Sequence, residues 1–225
     1  MIEEVTKQVS ELLKNDNSGH GMDHIRRVVN LSLKLTEKEK ADRELVALIA
    51  LLHDVDDYKI FGTESAENLT NAKKILEERA IDAVLKKQVL DAIQTIGFSK
   101  RLRGIEPKTL EAKIVSDADM CDILGANGIL RVYMYHQKNE SPFFDRNVFP
   151  VENMTIEKYK KCADSGICHL FEKALKIKEF LLTKSGKEEA ESRFQMTTQF
   201  LYHFFDEENA QEWIEYLDNF IKKNE

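Results

Sequence analysis

The chain has 225 residues, of which 42% are hydrophobic and 32% are charged, and its formal net charge at pH 7 is −7. This length and apolar content suit one domain with a sizeable buried core. The acidic balance argues against a protein that binds duplex nucleic acid through a basic surface. Only 9 glycines and 3 prolines are present, which favours helices over a turn-rich β architecture.

The first third of the chain shows helical spacing of apolar residues. Residues 2–14 predict an amphipathic helix, and the sequence NDNSGHG predicts a loop after it. A second helix is predicted from about 22 to 39 and a third from about 42 to 54. The stretch LVALIALL in the third helix is apolar nearly all round, which indicates a buried central helix.

The rest of the chain continues the helical pattern, with two exceptions. Residues 97–108 hold glycine, proline and four basic residues and predict a loop, after which a helix begins near Thr109, a suitable N-cap. Residues 138–155 contain two prolines and three phenylalanines and predict an irregular excursion or lid. Further helices are predicted at about 64–79, 82–95, 156–183, 187–206 and 209–223. We therefore predict an all-α fold.

Cysteine usage and the N-terminus bear on the location of the protein. The three cysteines form an odd set without a CxxC pair, which fits a reducing compartment. The N-terminal sequence MIEEVTKQVSELLK is amphipathic and carries acidic residues, unlike a signal peptide. No apolar run approaches the roughly 20 residues of a membrane span. We expect a cytoplasmic protein that binds neither membrane nor duplex nucleic acid.

The pair His53-Asp54 ends the most apolar helix of the chain. Burying a carboxylate and an imidazole there is costly unless they are paired or bind a cation. Imidazole nitrogen and carboxylate oxygen together suit Mn, Fe, Co, Ni or Zn. Taken alone, the pair is explained equally well as a helix C-terminus with a hydrogen-bonded histidine.

The order H…HD…D, formed by His24, His53-Asp54 and Asp119, resembles the HD-domain superfamily of metal-dependent phosphohydrolases. HGMDHIRRV is similar to the first motif of that family, H-x-x-R-V, and ALIALLHDVDD is similar to the second. EAKIVSDADMCDILGANGILR, FSK and CHLFEKALKIKEFLLTKSGKEEAESRF are similar to the small standalone members, although Met120 replaces their usual arginine. The resemblance covers about residues 10–205 and implies an HD-domain helical bundle.

The domain organisation that we expect is a single HD-type domain over residues 1–225. Within it, residues 138–155 form the excursion or lid, and residues 156–225 form a C-terminal helical extension.

The resemblance implies that His24, His53, Asp54 and Asp119 hold a divalent metal ion. None of the six histidines lies between residues 54 and 119, where two-metal members add ligands, so one ion is favoured. Mn is the preferred candidate, with Mg, Co, Ni, Fe and Zn as alternatives.

The choice of the last ligand depends on the resemblance. Helical periodicity places Asp122 within the apolar stripe of its helix, with Asp117 and Asp119 flanking the stripe on opposite sides. The helical spacing does not distinguish between these two flanking carboxylates as candidate metal ligands. The family pattern selects Asp119. It leaves Asp117 as a substrate-side or surface group and Asp122 as a buried carboxylate that supports the site.

Further site residues follow from the resemblance and from spacing. Asp57 is assigned proton transfer, with a solvated loop aspartate as the alternative. Arg27 lies three residues after His24, on one helix face with it, where its guanidinium can hold a substrate phosphate bidentately and assist catalysis. Lys59 and Lys100 are additional phosphate-binding candidates. His20 is placed in the pocket wall, with helix capping as its alternative.

The predicted function is hydrolysis of a small phosphorylated substrate, preferably a nucleotide, by a metal-activated water. Cleavage of a nucleoside triphosphate to monophosphate and pyrophosphate is one such reaction. A 5′-nucleotidase or a phosphodiesterase is the alternative among enzymes. A noncatalytic nucleotide-binding helical module with a relict metal site is the alternative outside them. The intact ligand set together with Asp57 favours catalysis.

Overall fold

The computed structural model describes residues 1–14, 21–151 and 165–224. Regular structure in these ranges is helical, with no β-strand among them, which confirms the predicted all-α class. No helix in the same ranges is long and apolar enough to cross a membrane. His20 and residues 152–164, which carry part of the predicted lid and of the helix at 156–183, lie outside the described residues.

The chain divides into two compact units. The first comprises Met1–Asp122 and Phe180–Lys187, and the second comprises Ile123–Glu179 and Glu188–Glu225. The arrangement as one HD-type domain with a lid and a C-terminal extension stays a prediction. The helices of the first unit are α1 (Ile2–Leu12), α2 (Met22–Glu39), α3 (Arg43–Leu52), α4 (Tyr58–Asn68), α5 (Thr70–Glu78), α6 (Ala83–Ile93), α7 (Phe98–Arg101) and α8 (Leu110–Cys121).

Helix α3 lies at the centre of the first unit. Asp42 caps its start by accepting hydrogen bonds from the backbone N–H groups of Glu44 and Leu45. Every residue from 45 to 52 is buried, and α3 packs against α1, α2, α6 and α8. The predicted buried central helix is therefore confirmed, and its end brings His53 and Asp54 to the edge of the core.

Helices α2 and α8 form the second main contact of this unit. On α2 the buried apolar residues include Ile25, Val28 and Leu35. On α8 the predicted stripe is buried, including Ile114, Val115, Ala118 and Cys121. Packing of these two faces orders the start of α2 against the end of α8, where the remaining polar candidates lie.

Two predicted boundaries within the first unit differ from the structure. The helix predicted at 64–79 is two helices, α4 and α5, separated by Leu69 in the left-handed conformation (φ 51°). The loop predicted at 97–108 contains the short helix α7. The boundary between α4 and α5 carries no proline, so composition alone did not reveal the interruption of 64–79.

The second unit contains α9 (Gly125–Lys138), α10 (Gly166–Glu172), all but the last residue of a 3₁₀ helix (Ala174–Phe180), and α12 (Gln211–Asn224). It shares α11 (Lys184–Glu207) with the first unit. Residues 139–151 of the predicted excursion have no helix. Aromatic side chains of this segment pack against the buried Trp213: Phe149 stacks on its ring with centroids 4.5 Å apart, and Phe144 meets the same ring edge-on at 5.3 Å. A lid function for this segment stays a prediction.

The prediction of one continuous helix over 156–183 is wrong within its described part. Helix α10 ends at Glu172, the 3₁₀ helix follows, and α11 begins only at Lys184. A contact with α8 explains why helical hydrogen bonding does not extend through the last two residues of the segment. The backbone N–H groups of Leu182 and Thr183 donate to the carboxylate of Asp117 at 2.9 and 2.7 Å, so they are not available for helical bonding.

Asp117 itself corrects a second prediction, because it is fully buried rather than a substrate-side or surface group. Besides the two N–H groups, it accepts a hydrogen bond from Thr183 Oγ1 at 2.7 Å. That hydroxyl in turn accepts from the N–H of Gly186 at 3.0 Å and so caps α11. Burial raises the pKa of Asp117 despite the hydrogen bonds that favour its ionised form. Asp117 therefore joins α8 to the start of α11.

We expect Asp117→Asn to lower the free energy of unfolding by about 1–3 kcal/mol, the cost of leaving a buried donor unsatisfied. An amide offers one acceptor oxygen, whereas the carboxylate receives bonds on both. Denaturant unfolding measures the loss, with Asp23→Asn on the exposed side of α2 as the control. Equal stability of the two variants would contradict the assigned role.

Candidate active site

Four of the predicted metal ligands converge in the first unit. His24 lies in the first turn of α2, His53 and Asp54 follow α3 directly, and Asp119 lies in the last turn of α8. His24 Nε2 is 3.2 Å from His53 Nε2, 3.4 Å from Asp54 Oδ2 and 3.5 Å from Asp119 Oδ1. His53 Nε2 is 3.7 and 3.8 Å from the same two oxygens. Each of the two nitrogens therefore lies within 3.8 Å of one oxygen from each carboxylate.

The partners of the two imidazoles determine which ring nitrogen carries the proton. His53 Nδ1 lies 2.8 Å from the carbonyl oxygen of Ala50, which can only accept, so Nδ1 is the donor. His24 Nδ1 lies 2.7 Å from Asp122 Oδ2, which as a carboxylate also only accepts. In the neutral rings both Nε2 atoms therefore carry lone pairs, and they point at each other and at two carboxylates.

This arrangement fits a divalent cation. Both histidine side chains are 1% exposed, so water cannot separate the two facing lone pairs. Two imidazole nitrogens with carboxylate oxygens are the donor set that suits Mn, Fe, Co, Ni or Zn. His24, His53 and Asp119 form a group of candidate ligand atoms within 4.8 Å of one another.

Asp122 is the site residue whose partners the sequence did not reveal. It is 1% exposed and receives the Nδ1–H of His24. It also receives two hydrogen bonds from Arg27, Nε to Oδ1 at 2.7 Å and Nη2 to Oδ2 at 2.9 Å. The hydrogen bond to Asp122 raises the pKa of Arg27. The predicted phosphate contact of Arg27 stays a prediction, since two of its donors are directed at Asp122.

Asp57 and the two lysines lie around the cluster in different ways. Asp57 is partly exposed and caps α4, accepting from the N–H of Lys59 at 2.9 Å. Lys100 is half-buried and its Nζ donates to the carbonyl of Ile93 at 3.1 Å. Burial lowers the pKa of Lys100, whereas the charges of Asp54 and Asp57 raise it. Lys100 is therefore close enough to interact electrostatically with the cluster. Lys59 is exposed, and its Nζ lies 5.9 Å from the centroid of the Tyr58 ring.

An all-helical unit that brings two imidazoles and two carboxylates together has the donor composition of a divalent-metal site. Comparison with known proteins agrees with this class. The HD domain family matches residues 21–124. A solved HD-superfamily hydrolase from Bacillus thuringiensis is 32% identical, with a TM-score of 0.71, over 93% of this chain and 97% of that one. The chain belongs to the HD-domain superfamily.

Other relatives extend the comparison over nearly the whole chain. A solved protein from Lactobacillus plantarum is 30% identical with a TM-score of 0.79, over 93% of this chain and 97% of that one. The uncharacterised protein YpgQ of Bacillus subtilis is 29% identical over 88% of this chain and 89% of its own length. YpgQ has been solved in complex with ADP. The 5′-deoxynucleotidase HDDC2 of Xenopus laevis is 25% identical over 53% of this chain and 57% of its own.

Proposed function

We propose that this hydrolase is a metal-dependent phosphohydrolase of small nucleotides. The observation that carries the proposal is that His24 Nε2 lies within 3.5 Å of His53 Nε2 and of one carboxylate oxygen each from Asp54 and Asp119. Lys100 adds a positive charge beside this cluster in a protein whose net charge is negative. A local cation of this kind attracts an anionic substrate despite the acidic surface.

The relatives support the substrate class. YpgQ was crystallised with a nucleoside diphosphate, and HDDC2 is named for removal of a phosphate from deoxynucleotides. These names support a nucleotide as the substrate. Two reactions are proposed for this chain: hydrolysis of a nucleoside triphosphate to monophosphate and pyrophosphate, or hydrolysis of a 5′-monophosphate. The first releases pyrophosphate and the second releases orthophosphate, so product analysis separates them.

The candidate site residues have three roles in the proposed reaction: metal binding, proton transfer and phosphate binding. His24, His53, Asp54 and Asp119 would hold one divalent ion, with Mn preferred. When bound, such an ion neutralises charge on a phosphoryl oxygen and lowers the pKa of water toward roughly 7. Asp57 takes up or delivers a proton at its carboxylate during attack or departure of the leaving group. Lys100 holds a phosphate oxygen through its ammonium group.

The proposed function is tested with metal-stripped protein. Turnover of nucleoside mono-, di- and triphosphates is expected to vanish with a chelator and to return with added Mn²⁺. The reason is that the side chains of the cluster supply the ligand atoms for the cation. Released orthophosphate and pyrophosphate are measured separately, and the metal content of the purified protein is determined. Full turnover without metal would contradict the proposal, as would a protein that binds metal but hydrolyses none of these nucleotides.

Lys100→Met is expected to raise KM for the best nucleotide by about 10- to 100-fold, corresponding to the roughly 1.5–3 kcal/mol of a charge-assisted hydrogen bond. Methionine keeps much of the apolar stem and removes the ammonium group. Metal affinity is expected to stay the same, because the ammonium has no lone pair to offer a cation. Lys7→Met on the exposed face of α1 is the control, and an unchanged KM for Lys100→Met would remove Lys100 from the substrate site.

A further inference from the structure

Asp122 joins two residues that the sequence assigned to different tasks. Its Oδ2 accepts from the Nδ1–H of His24 at 2.7 Å and from Arg27 Nη2 at 2.9 Å, and its Oδ1 accepts from Arg27 Nε at 2.7 Å. The backbone N–H of Asp122 also donates to the carbonyl of Asp119 at 3.1 Å. One buried carboxylate thus contacts His24, Arg27 and the backbone of a second candidate ligand.

An ionised Asp122 would be energetically unfavourable at its position in the fold without the positive charge of Arg27. The residue is 1% exposed, so water does not solvate the carboxylate. It also follows α8 directly, as the C-cap. The negative end of a helix dipole lies at that terminus and disfavours an anion there. The planar guanidinium of Arg27 supplies both the counter-charge and two parallel donors that fix the plane of the carboxylate.

The hydrogen bond from His24 then has a defined consequence. Because Asp122 holds the proton on Nδ1, the lone pair of His24 stays on Nε2, the atom that faces His53, Asp54 and Asp119. Without this partner the ring is free to carry its proton on Nε2 or to rotate. Either change removes the Nε2 lone pair from the set of candidate metal ligands. Carboxylates behind a metal-binding histidine act in this way in other proteins.

We propose that Arg27 and Asp122 are positioning residues that set the tautomer and direction of His24, and that Arg27 serves this role instead of holding a substrate phosphate. The proposal rests on the metal site of the proposed function, but not on its substrate. The side chain of Arg27 is 29% exposed, and its Nε and Nη2 both donate to Asp122, so its charge is already matched inside the protein.

The test compares Asp122→Asn, Arg27→Met and Arg27→Lys with the parent protein, and it reads the tautomers of isotope-labelled imidazoles by NMR in the metal-free state. The parent is expected to show His24 and His53 protonated on Nδ1. Asp122→Asn is expected to shift His24 toward Nε2–H and to leave His53 unchanged, because Ala50 still holds the latter. Mn²⁺ affinity, measured by calorimetry, is expected to fall about 10- to 100-fold.

Arg27→Met is expected to lower Mn²⁺ affinity in the same direction, and Arg27→Lys to recover part of the loss by restoring the positive charge. Asp56→Asn is the matched control. Asp56 is also buried near the end of α3, but it accepts from Ser65, Asn71 and Ala72 instead of a candidate ligand. It is expected to lose stability with the His24 tautomer and Mn²⁺ affinity unchanged.

An Asp122→Asn protein with the parental tautomer and parental Mn²⁺ affinity would overturn the proposal. So would an Arg27→Met protein that binds Mn²⁺ normally and has a raised KM for nucleotide, because Arg27 would then be the phosphate ligand. If Asp122→Asn does not fold, Arg27→Met decides alone. Neither readout requires turnover, so a protein that hydrolyses no nucleotide would end the proposed function and leave this inference standing.

Discussion

Asp119→Asn is expected to remove metal binding and turnover together. Asp119 Oδ1 lies 3.5 Å from His24 Nε2 and 3.8 Å from His53 Nε2, within the candidate donor set. An amide keeps the shape of the carboxylate but not its negative charge, which is the part that binds a hard divalent cation. A bound metal contributes several kcal/mol to stabilising a phosphoryl transition state, so turnover is expected to fall on the order of 10³-fold.

The matched control for this prediction lies two residues earlier on the same helix. Asp117→Asn also removes a carboxylate from α8, but that carboxylate is fully buried and contacts Leu182 and Thr183. Calorimetric titration with Mn²⁺ is expected to give parental affinity for Asp117→Asn and no measurable binding for Asp119→Asn. The reverse pattern would show that the family motif had been placed two residues too far along the chain.

Asp57→Asn is expected to lower kcat on the order of 10²-fold, the usual cost of removing a general acid or base. The substitution suits this position because Asp57 also caps α4, and asparagine caps a helix about as well as aspartate. Metal content, unfolding temperature and KM are therefore expected to stay near those of the parent. A loss confined to kcat distinguishes proton transfer from a structural role.

Two further variants separate the cap from the chemistry. Asp57→Ala removes both the cap and the carboxylate, so it is expected to lose roughly 1 kcal/mol of stability as well as kcat. Asp82→Asn makes the same change at the cap of α6, where Asp82 accepts from Val84 and Leu85, and is expected to keep full activity. If Asp57→Asn retains parental kcat, Asp57 is a capping residue and the proton is carried elsewhere.

Features that depend on local pattern were predicted well from the sequence. The buried helix α3 follows from an unbroken apolar run, and the burial of Asp122 follows from its place in the apolar stripe of α8. The convergence of His24, His53, Asp54 and Asp119 was expected from the family motifs, because these residues are far apart in the chain and spacing cannot bring them together.

Features that depend on partners far away in the chain were missed, because a local sequence pattern does not show which distant residues will be in contact. Nothing in the sequence around Leu182 and Thr183 indicates that a carboxylate 65 or 66 residues earlier binds their N–H groups, so the helix predicted there was too long. Arg27 was assigned to phosphate because its spacing from His24 puts both on one face. Its pairing with Asp122, 95 residues away, needs the packing of α2 on α8 to be known.

The hydrogen bonds between Asp117 and Thr183 also affect when the first unit can finish folding during synthesis. The first unit consists of Met1–Asp122 and the later segment Phe180–Lys187, so a nascent chain that has emerged only to residue 122 lacks the donors for Asp117. At 5–20 residues per second, a ribosome takes roughly 3–13 s to make the 66 residues that separate the two partners. During that interval the carboxylate must stay hydrated or protonated, and chains released before residue 182 are expected to remain targets for chaperones and proteases.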